Sequence, residues 1–326
     1  MNKITKYLLV IITVLLGSCA KKNNIYNNNN TFSVGFYNVE NLFDTINNPN
    51  NDEEFLPDSK LEWNNAKYTE KIGHINKVIH SLDYPIILGL CEIENANVLK
   101  DLIKSSIQLN KSYDFVHHES PDKRGIDAAF IYNKKIITLV ESGKLKVNLG
   151  NKTPKPTRDI VWAKFVFNRD TIFTMVNHWP SRRGGTEASE HKRLKAAKAA
   201  RNFIDSISKN PNNKVIFMGD LNDYPENKAP MKIKEVLKPM IFANSGKYGG
   251  THCYKNHWGI LDHIFISSSL DKGHFSVIKN SGKINDFDYL LTEYKGNKVP
   301  FRTFGGGKYL GGFSDHFPVT IKVKLE

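Results

Sequence analysis

Cysteine is scarce in this sequence, with three residues in 326, at positions 19, 91 and 253. A fold stapled by several disulfides is therefore excluded. One bridge is possible in an oxidising compartment, and nothing in the sequence demands it. Cys91 ends the apolar run Ile86-Ile87-Leu88-Gly89-Leu90-Cys91, which suits a small buried hydrophobe better than a ligand. Internal repeats of fixed period and a second linker are also lacking, so one domain from about residue 32 to 326 is expected. Acidic residues are the minority charge, 33 against 46 basic, for a formal net charge of +13. Such a balance draws polyanions, so nucleic acid, anionic lipid and phosphorylated small molecules all fit as partners. A lysine-rich solvated surface would look the same. With 40% hydrophobic and 24% charged residues the chain is globular rather than disordered.

The apolar run Tyr7 to Leu16 follows Lys3 and Lys6 and is too short to span a bilayer as a mature helix. Its continuation, Leu16-Gly17-Ser18-Cys19, resembles the bacterial lipobox, in which the cysteine is diacylated and becomes the mature N-terminus. Residues 1–19 are accordingly expected to be a lipoprotein signal segment ending at lipidated Cys19. An uncleaved anchor and an ordinary cleaved signal are the competing readings. Residues 20–31, rich in asparagine, read as a flexible tether. The expected location is the cell envelope, membrane-anchored, on its periplasmic or surface face, with the protein a monomer.

Within the domain one grammar recurs: an apolar strand, then polar chemistry at its end. Val215-Ile216-Phe217-Met218 runs into Gly219-Asp220-Leu221-Asn222-Asp223. In an extended segment Asp220 and Asn222 would share a face, while Gly219 admits close approach of another backbone. An Asx-type turn closing a strand is the plainer reading of that stretch. Phe32 to Asn41 reads as a strand ending at Asn38, and the run after Pro85 delivers Glu92. Strands are expected over Tyr113 to His117 and Ile126 to Tyr132, around the turn Asp122-Lys123-Arg124-Gly125, and a hairpin over Ile160 to Asn177 that discharges into His178. Tyr68, Ile72, Ile75, Ile79 and Leu82 form one helical stripe, and Leu194, Ala197, Ala200, Ile204 and Ile207 another. Leu261-Asp262-His263 and Ser314-Asp315-His316 close the series.

The ordered set Tyr37-Asn38-Val39-Glu40-Asn41, Glu92-Ile93-Glu94, Asn177-His178-Trp179-Pro180-Ser181, Gly219-Asp220-Leu221-Asn222, Leu261-Asp262-His263 and Ser314-Asp315-His316 resembles the endonuclease/exonuclease/phosphatase superfamily. The resemblance spans nearly the whole chain after the tether. It implies an α/β four-layer sandwich of two packed mixed β-sheets flanked by helices, with the site at one sheet edge. It also implies phosphoester hydrolysis with Mg²⁺ or Mn²⁺. Matched position by position, Glu92 is the principal metal carboxylate, with Asn38 and Asp315 beside it. Asp220 handles the attacking water, and Asn222 bonds the phosphate or the water. His316 contacts the scissile phosphate, Asp262 orients that ring, and His178 matches a second active-site histidine of the DNase-like branch. His263 would face away, and Glu94 is expected to face solvent. Arg124 is a candidate phosphate contact; Arg158 and Arg182 read as surface charge, and Asp52-Glu53-Glu54 as a solvated loop.

Three functions follow as expectations. The first is an endonuclease, with Lys192, Arg193, Lys195, Lys198 and Arg201 tracking a nucleic-acid backbone from one helix. The second is a phosphatase or phosphodiesterase for a lipid head group or small phosphorylated molecule. The third, a catalytically inactive binding protein on the same scaffold, is weakened because every matched position keeps its chemistry.

Overall fold

Alternating apolar residues and Asn/Gly punctuation build most of the elements in the computed structural model, which describes residues 30–48, 52–150 and 155–326. Cys19, the expected signal segment and almost all of the expected tether lie outside these. The chain enters β1 (Thr31–Leu42) one residue inside the stretch read as tether. Helix α1 (Asn65–Ser81) is capped by Asn64, whose side chain accepts from the N–H groups of Ala66 and Lys67. Its buried face is the expected stripe, Ile72, Ile75 and Ile79, joined by Val78. Then come β2 (Ile87–Ile93), α2 (Ala96–Lys104), α3 (Ile107–Ser112), β3 (Tyr113–His117) and β4 (Asp127–Asn133).

β5 (Thr138–Leu145), β6 (Ile160–Phe167) and β7 (Asp170–His178) form an antiparallel ladder. The β6–β7 hairpin turns at Asn168, whose φ of 52° an asparagine tolerates well. Helix α4 (Thr186–Ile207), β8 (Lys214–Asp220) and α5 (Lys228–Lys234) follow. The last third of the chain is cut into short pieces. These are β9 (Lys238–Pro239), β10 (His252–Tyr254), β11 (His257–Gly259), β12 (Asp262–Ile266), β13 (Phe275–Val277), β14 (Lys283–Ile284), β15 (Leu291–Tyr294), β16 (Asn297–Pro300), β17 (Phe304–Gly305), β18 (Lys308–Tyr309) and β19 (Val319–Leu325).

Two mixed sheets result. One has the order β13-β19-β1-β2-β4-β3, with β14 also on β19; the other runs β5-β6-β7-β8-β12-β9. Each contains one parallel pair, β1–β2 and β7–β8, at its centre. The sheets pack face to face, and they approach closely at Gly89 of β2. A Cβ there would stand 2.6 Å from Val176 Cγ2 and 2.8 Å from Met218 Sδ. On the outer face of the second sheet Val215 and Phe217 pack with Ala197, Ala200 and Ile204 of α4. Ile75, Val78, Leu99 and Leu102 of α1 and α2 belong to the larger core shared with the first sheet. This is the four-layer α/β sandwich. Both described cysteines are free, Cys91 buried and Cys253 half-buried. No helix of the described residues is long and apolar enough to cross a membrane.

The basic cluster expected on α4 is not a stripe facing outward. Arg193 is fully buried, with Nε 2.8 Å from Asp223 Oδ2 and its other nitrogens on Ser189 Oγ and Thr186 O. Arg201 is paired with Asp205 and Glu235. Among the described residues only Lys192, Lys195 and Lys198 of the five are without an ion pair, so the helix offers less to a polyanion than its sequence suggests. Arg193 instead anchors the loop that follows β8. Arg193→Ala should cost about 3–5 kcal/mol, because it leaves the Asp223 carboxylate buried and alone. Urea denaturation measures this, and replacing both partners by leucine should recover much of the loss. A change under about 1 kcal/mol for Arg193→Ala would show the pair to be dispensable.

Candidate active site

Strand register assembles one half of the site. His178 of β7 lies opposite Asp220 of β8, and Asp220 lies opposite Asp262 of β12, so three strand ends present polar groups at one level. Gly219 is needed where β7 and β8 meet. A Cβ at that position would come within 2.2 Å of the Asn177 carbonyl oxygen. Leu221 to Asp223 then leave the strand direction. Asn222 has φ 50° and its N–H donates to Asp220 Oδ1, which is the Asx turn. Asn222 therefore does not project beside Asp220 as an extended strand would place it. Its Nδ2 donates to the Trp179 carbonyl at 3.0 Å, tying the loops after β7 and β8 together.

The other half comes from backbone irregularities in the first sheet. The β1–β2 register shifts between Asn38 and Leu42, with Glu40 and Asn41 at φ 53° and 57°. The β2–β4 register shifts between Cys91 and Ile93, with Glu92 at φ 64°. Left-handed backbone at a non-glycine costs about 1–3 kcal/mol and re-aims side chains at sites where the surroundings enforce it. The strained Glu92 accepts from the Asn41 N–H at 3.1 Å, so the two irregularities support each other. Asn95 caps α2 through the N–H groups of Asn97 and Val98, and so stops the chain soon after Glu92.

The two halves meet directly. Asn38 Nδ2 donates to Asp220 Oδ2 at 3.1 Å, across the sheets. Ser314 Oγ donates to the Asn38 carbonyl and accepts the His316 N–H, which fixes Asp315 and His316 against β1. His316 Nδ1 is 2.7 Å from Asp262 Oδ2, leaving Nε2 3.8 Å from Asp220 Oδ2. His178 Nε2 stands 3.7 Å from the same Asp220 oxygen and 3.8 Å from Glu92 Oε1. Asp220 Oδ2 is thus the hub, bonded by Asn38 and flanked by both imidazoles just beyond hydrogen-bond distance. Asn38, Glu92, His178, Asp220, Asp262, Asp315 and His316 are all brought together. Arg124 reaches their rim, its Nη2 2.7 Å from Asn41 Oδ1 and 3.5 Å from Glu92 Oε2.

Burial and charge set the protonation states. Burial alone would lower the His316 pKa, yet the Asp262 and Asp220 carboxylates outweigh it and hold the ring well above its ordinary value. His178 goes the other way. Burial, then the Arg158 and Arg124 charges, push it well below the ordinary value, so it is a neutral imidazole. Burial lifts the Asp220 carboxyl to about 7, against the pull of the His316 charge.

Several readings need correction. Glu94 is buried, not solvent-facing, because it accepts the Asp44 N–H and the Asn48 amide; burial pushes its carboxyl up to about 7. Arg158 is not surface charge either. It is buried, with Nη2 on the Trp179 carbonyl and Nη1 3.2 Å from Asp122 Oδ2. Arg182 stacks 4.3 Å over the Tyr224 ring. Asp52 is buried while Glu53 and Glu54 are exposed. His263 does face away, its Nε2 3.0 Å from the Asp223 carbonyl.

Other residues at the site had no signal in the sequence. His252 of β10 bridges His316, their rings 4.8 Å apart, and burial drops its pKa to about 4. Arg302 bonds Glu40 Oε1 through Nε and Nη2 and lies 3.0 Å from Asp315 Oδ2. Buried Lys71 donates to Thr303 Oγ1 and the Phe313 carbonyl, pinning that segment from α1. Glu40 was visible two residues after Asn38; His252 and Arg302 lie in stretches without periodicity. A cleft of about 630 Å³ lies between Tyr224, Phe242 and Trp258.

A divalent cation suits this donor set. Asp220–Asp262–His316 and His252–Asp315–His316 each bring three ligand atoms within 4.8 Å of one another. Glu92 is in neither group. Carboxylate oxygens such as those of Asp220, Asp262 and Asp315 suit a hard divalent ion. His117–Glu119–Asp127 is a further group, in which His117 Nε2 bonds Asp127 Oδ2 at 2.9 Å.

The sequence model described as the endonuclease/exonuclease/phosphatase family matches residues 33–325. The chain belongs to that family. No curated protein matches its sequence. Among solved structures it is similar to the mannosyl-6-phosphatase Bt3783 of Bacteroides thetaiotaomicron, at 17% identity and TM-score 0.56, covering 90% of this chain and 99% of that one. It is similar to the human Nocturnin catalytic domain with bound sulfate, at 15% identity and TM-score 0.58, covering 91% and 96%. It is also similar to D. rerio TDP2 complexed with a single-strand DNA product, at 15% identity and TM-score 0.55, covering 90% and 98%. Endonuclease/exonuclease/phosphatase members are phosphoester hydrolases that use divalent metals, and the acid-and-histidine edge of this chain has the donors for both tasks.

Proposed function

We propose that this family member hydrolyses phosphoesters by metal-assisted attack of water, with Mg²⁺ or Mn²⁺ as the ion. The observation that carries the reading is the hub at Asp220 Oδ2, shared by Asn38 from one sheet and approached by His178 and His316. An ion held by Asn38, Glu92 and Asp315 would supply Lewis-acid polarisation of a phosphate oxygen. Asp220, with a carboxyl near 7, is tuned to accept the proton of the attacking water. Asn222 fixes the Asp220 carboxylate through its N–H. Protonated His316 donates from Nε2 to phosphate oxygens as charge builds, and Asp262 locks its tautomer. His178, neutral, offers one further donor.

Endonuclease activity is the second reading. The net charge of +13 favours it, and the TDP2 neighbour holds a single-strand DNA product. The loss of Arg193 and Arg201 from the α4 cluster weakens it. The test is turnover by the domain in Mg²⁺, Mn²⁺ and EDTA across plasmid DNA, RNA, sphingomyelin, inositol phosphates and sugar phosphates. Turnover in an ion, abolished by EDTA, is expected for at least one class; no turnover of any would leave the inactive-scaffold reading. Lipidation at Cys19, with the envelope location, rests on Leu16-Gly17-Ser18-Cys19 alone. Labelled fatty acid should enter the wild type and not Cys19→Ser; an unlabelled wild type would end that proposal.

A further inference from the structure

We propose that Arg124 and Arg302 are a two-sided clamp for the dianionic phosphate of a phosphomonoester, so that the site acts on terminal phosphates in preference to internal diester links. This rests on the hydrolase reading above. The two arginines come from unrelated places, the turn before β4 and the segment between β16 and β17. Each touches one carboxylate of the metal-binding trio: Arg124 is 3.5 Å from Glu92, and Arg302 is 3.0 Å from Asp315. They are also the accessible cations here, with side chains 53% and 46% exposed. Lys71 and Arg158 are buried and occupied by backbone carbonyls, which makes them braces.

The forks are only partly used. Arg124 places Nη2 on Asn41 and Glu92, and Arg302 places Nε and Nη2 on Glu40 and Asp315. In both, Nη1 carries no recorded bond among the described residues. A guanidinium held in this way keeps its orientation and still has donors to turn toward an anion. If Glu92 and Asp315 held an ion, the same carboxylates would be drawn from the arginines, and more of each fork would be free.

The substrate class follows from oxygen count. A diester offers two unesterified oxygens and one negative charge, which a bound ion and His316 would serve. A monoester offers a third oxygen and a second charge, which the rim arginines can take. In a diester that third position carries an ester carbon, against which a guanidinium gains nothing.

The test compares 4-nitrophenyl phosphate with methyl 4-nitrophenyl phosphate, which share a leaving group, in Mg²⁺ or Mn²⁺. It uses wild type, Arg124→Met, Arg302→Met and Arg302→Lys. Inorganic phosphate and dimethyl phosphate binding is measured by calorimetry alongside. The wild type should prefer the monoester. Each methionine variant should lose about 10- to 100-fold more kcat/KM on the monoester than on the diester, the range for charge-assisted hydrogen bonds. Inorganic phosphate should bind more weakly, while dimethyl phosphate binding changes little. Because Arg302→Met also strips a partner from buried Glu40, Arg124→Met and Arg302→Lys keep the test open if that variant misfolds. Hydrolysis of the diester alone, or equal losses on both substrates, would overturn the clamp and leave the hydrolase reading standing. No hydrolysis of either substrate and no phosphate binding would overturn the clamp, and the hydrolase reading falls only if the wider substrate screen is also silent.

Discussion

Glu92→Ala should lower kcat/KM in Mg²⁺ by on the order of 10⁴-fold, the several kcal/mol that a positioned cation contributes to phosphoester cleavage. Removing this carboxylate acts on the ion rather than on the protein scaffold, and two controls separate those effects. Glu92→Gln keeps the acceptor for the Asn41 N–H and nearly the same volume, so it should fold as the wild type does and still lose turnover. Mn²⁺ affinity, measured by calorimetry, should weaken in both variants. The φ of 64° strains glutamate and alanine alike, so a stability loss in Glu92→Ala would report the lost acceptor of the Asn41 N–H and not the backbone. Full activity of either variant, with unchanged Mn²⁺ affinity, would remove Glu92 from the metal site.

Asp262 and His316 should fail as one unit. Each single variant, Asp262→Asn or His316→Ala, is expected to lose about 10²- to 10⁴-fold, the range for a positioned acid or base. The double variant should be little worse than the worse single, because the 2.7 Å contact makes them parts of one device. Losses that multiply would show two independent roles. The pH profile gives a second readout. In the wild type Asp262 and Asp220 hold His316 protonated well above its ordinary range, against burial. With Asp262 neutralised the opposition to burial shrinks, so the His316 pKa falls. The alkaline limb of kcat/KM should therefore move to lower pH in Asp262→Asn, and an unmoved limb would argue against His316 acting as a cation.

Periodicity made much of this legible in the sequence. The α1 and α4 stripes, the β6–β7 hairpin and the apolar strands β2 and β8 were all plain, because each buries a face along its own length. His178, Asp220 and Asp262 sit at strand ends, where an apolar run gives way to polar groups, whereas β1 continues past Asn38 to Leu42 and Asp315 and His316 precede β19. What could not be read is decided by distant partners. Arg193 looks like one more exposed cation of a basic helix until Asp223 is folded beneath it. Glu94 looks like a solvent acid until the N–H of Asp44 arrives. β5 is mostly exposed and shows no alternation, and the short hairpins β10–β11, β15–β16 and β17–β18 are held by contacts rather than by a repeating pattern. His252 and Arg302 reach the site from that region.

The pairing of Thr31 with Lys324 has a consequence for how the protein is made. β1 needs β19 on one side and β2 on the other, so the centre of the first sheet waits for the last seven-residue strand. A chain emerging N-terminus first keeps one edge of β1 open throughout synthesis, with its unpaired backbone groups able to find other strands. Long-range closure of this kind is slow. Once Val319–Leu325 is released, its pairing with Thr31–Phe36 locks both ends of the domain together.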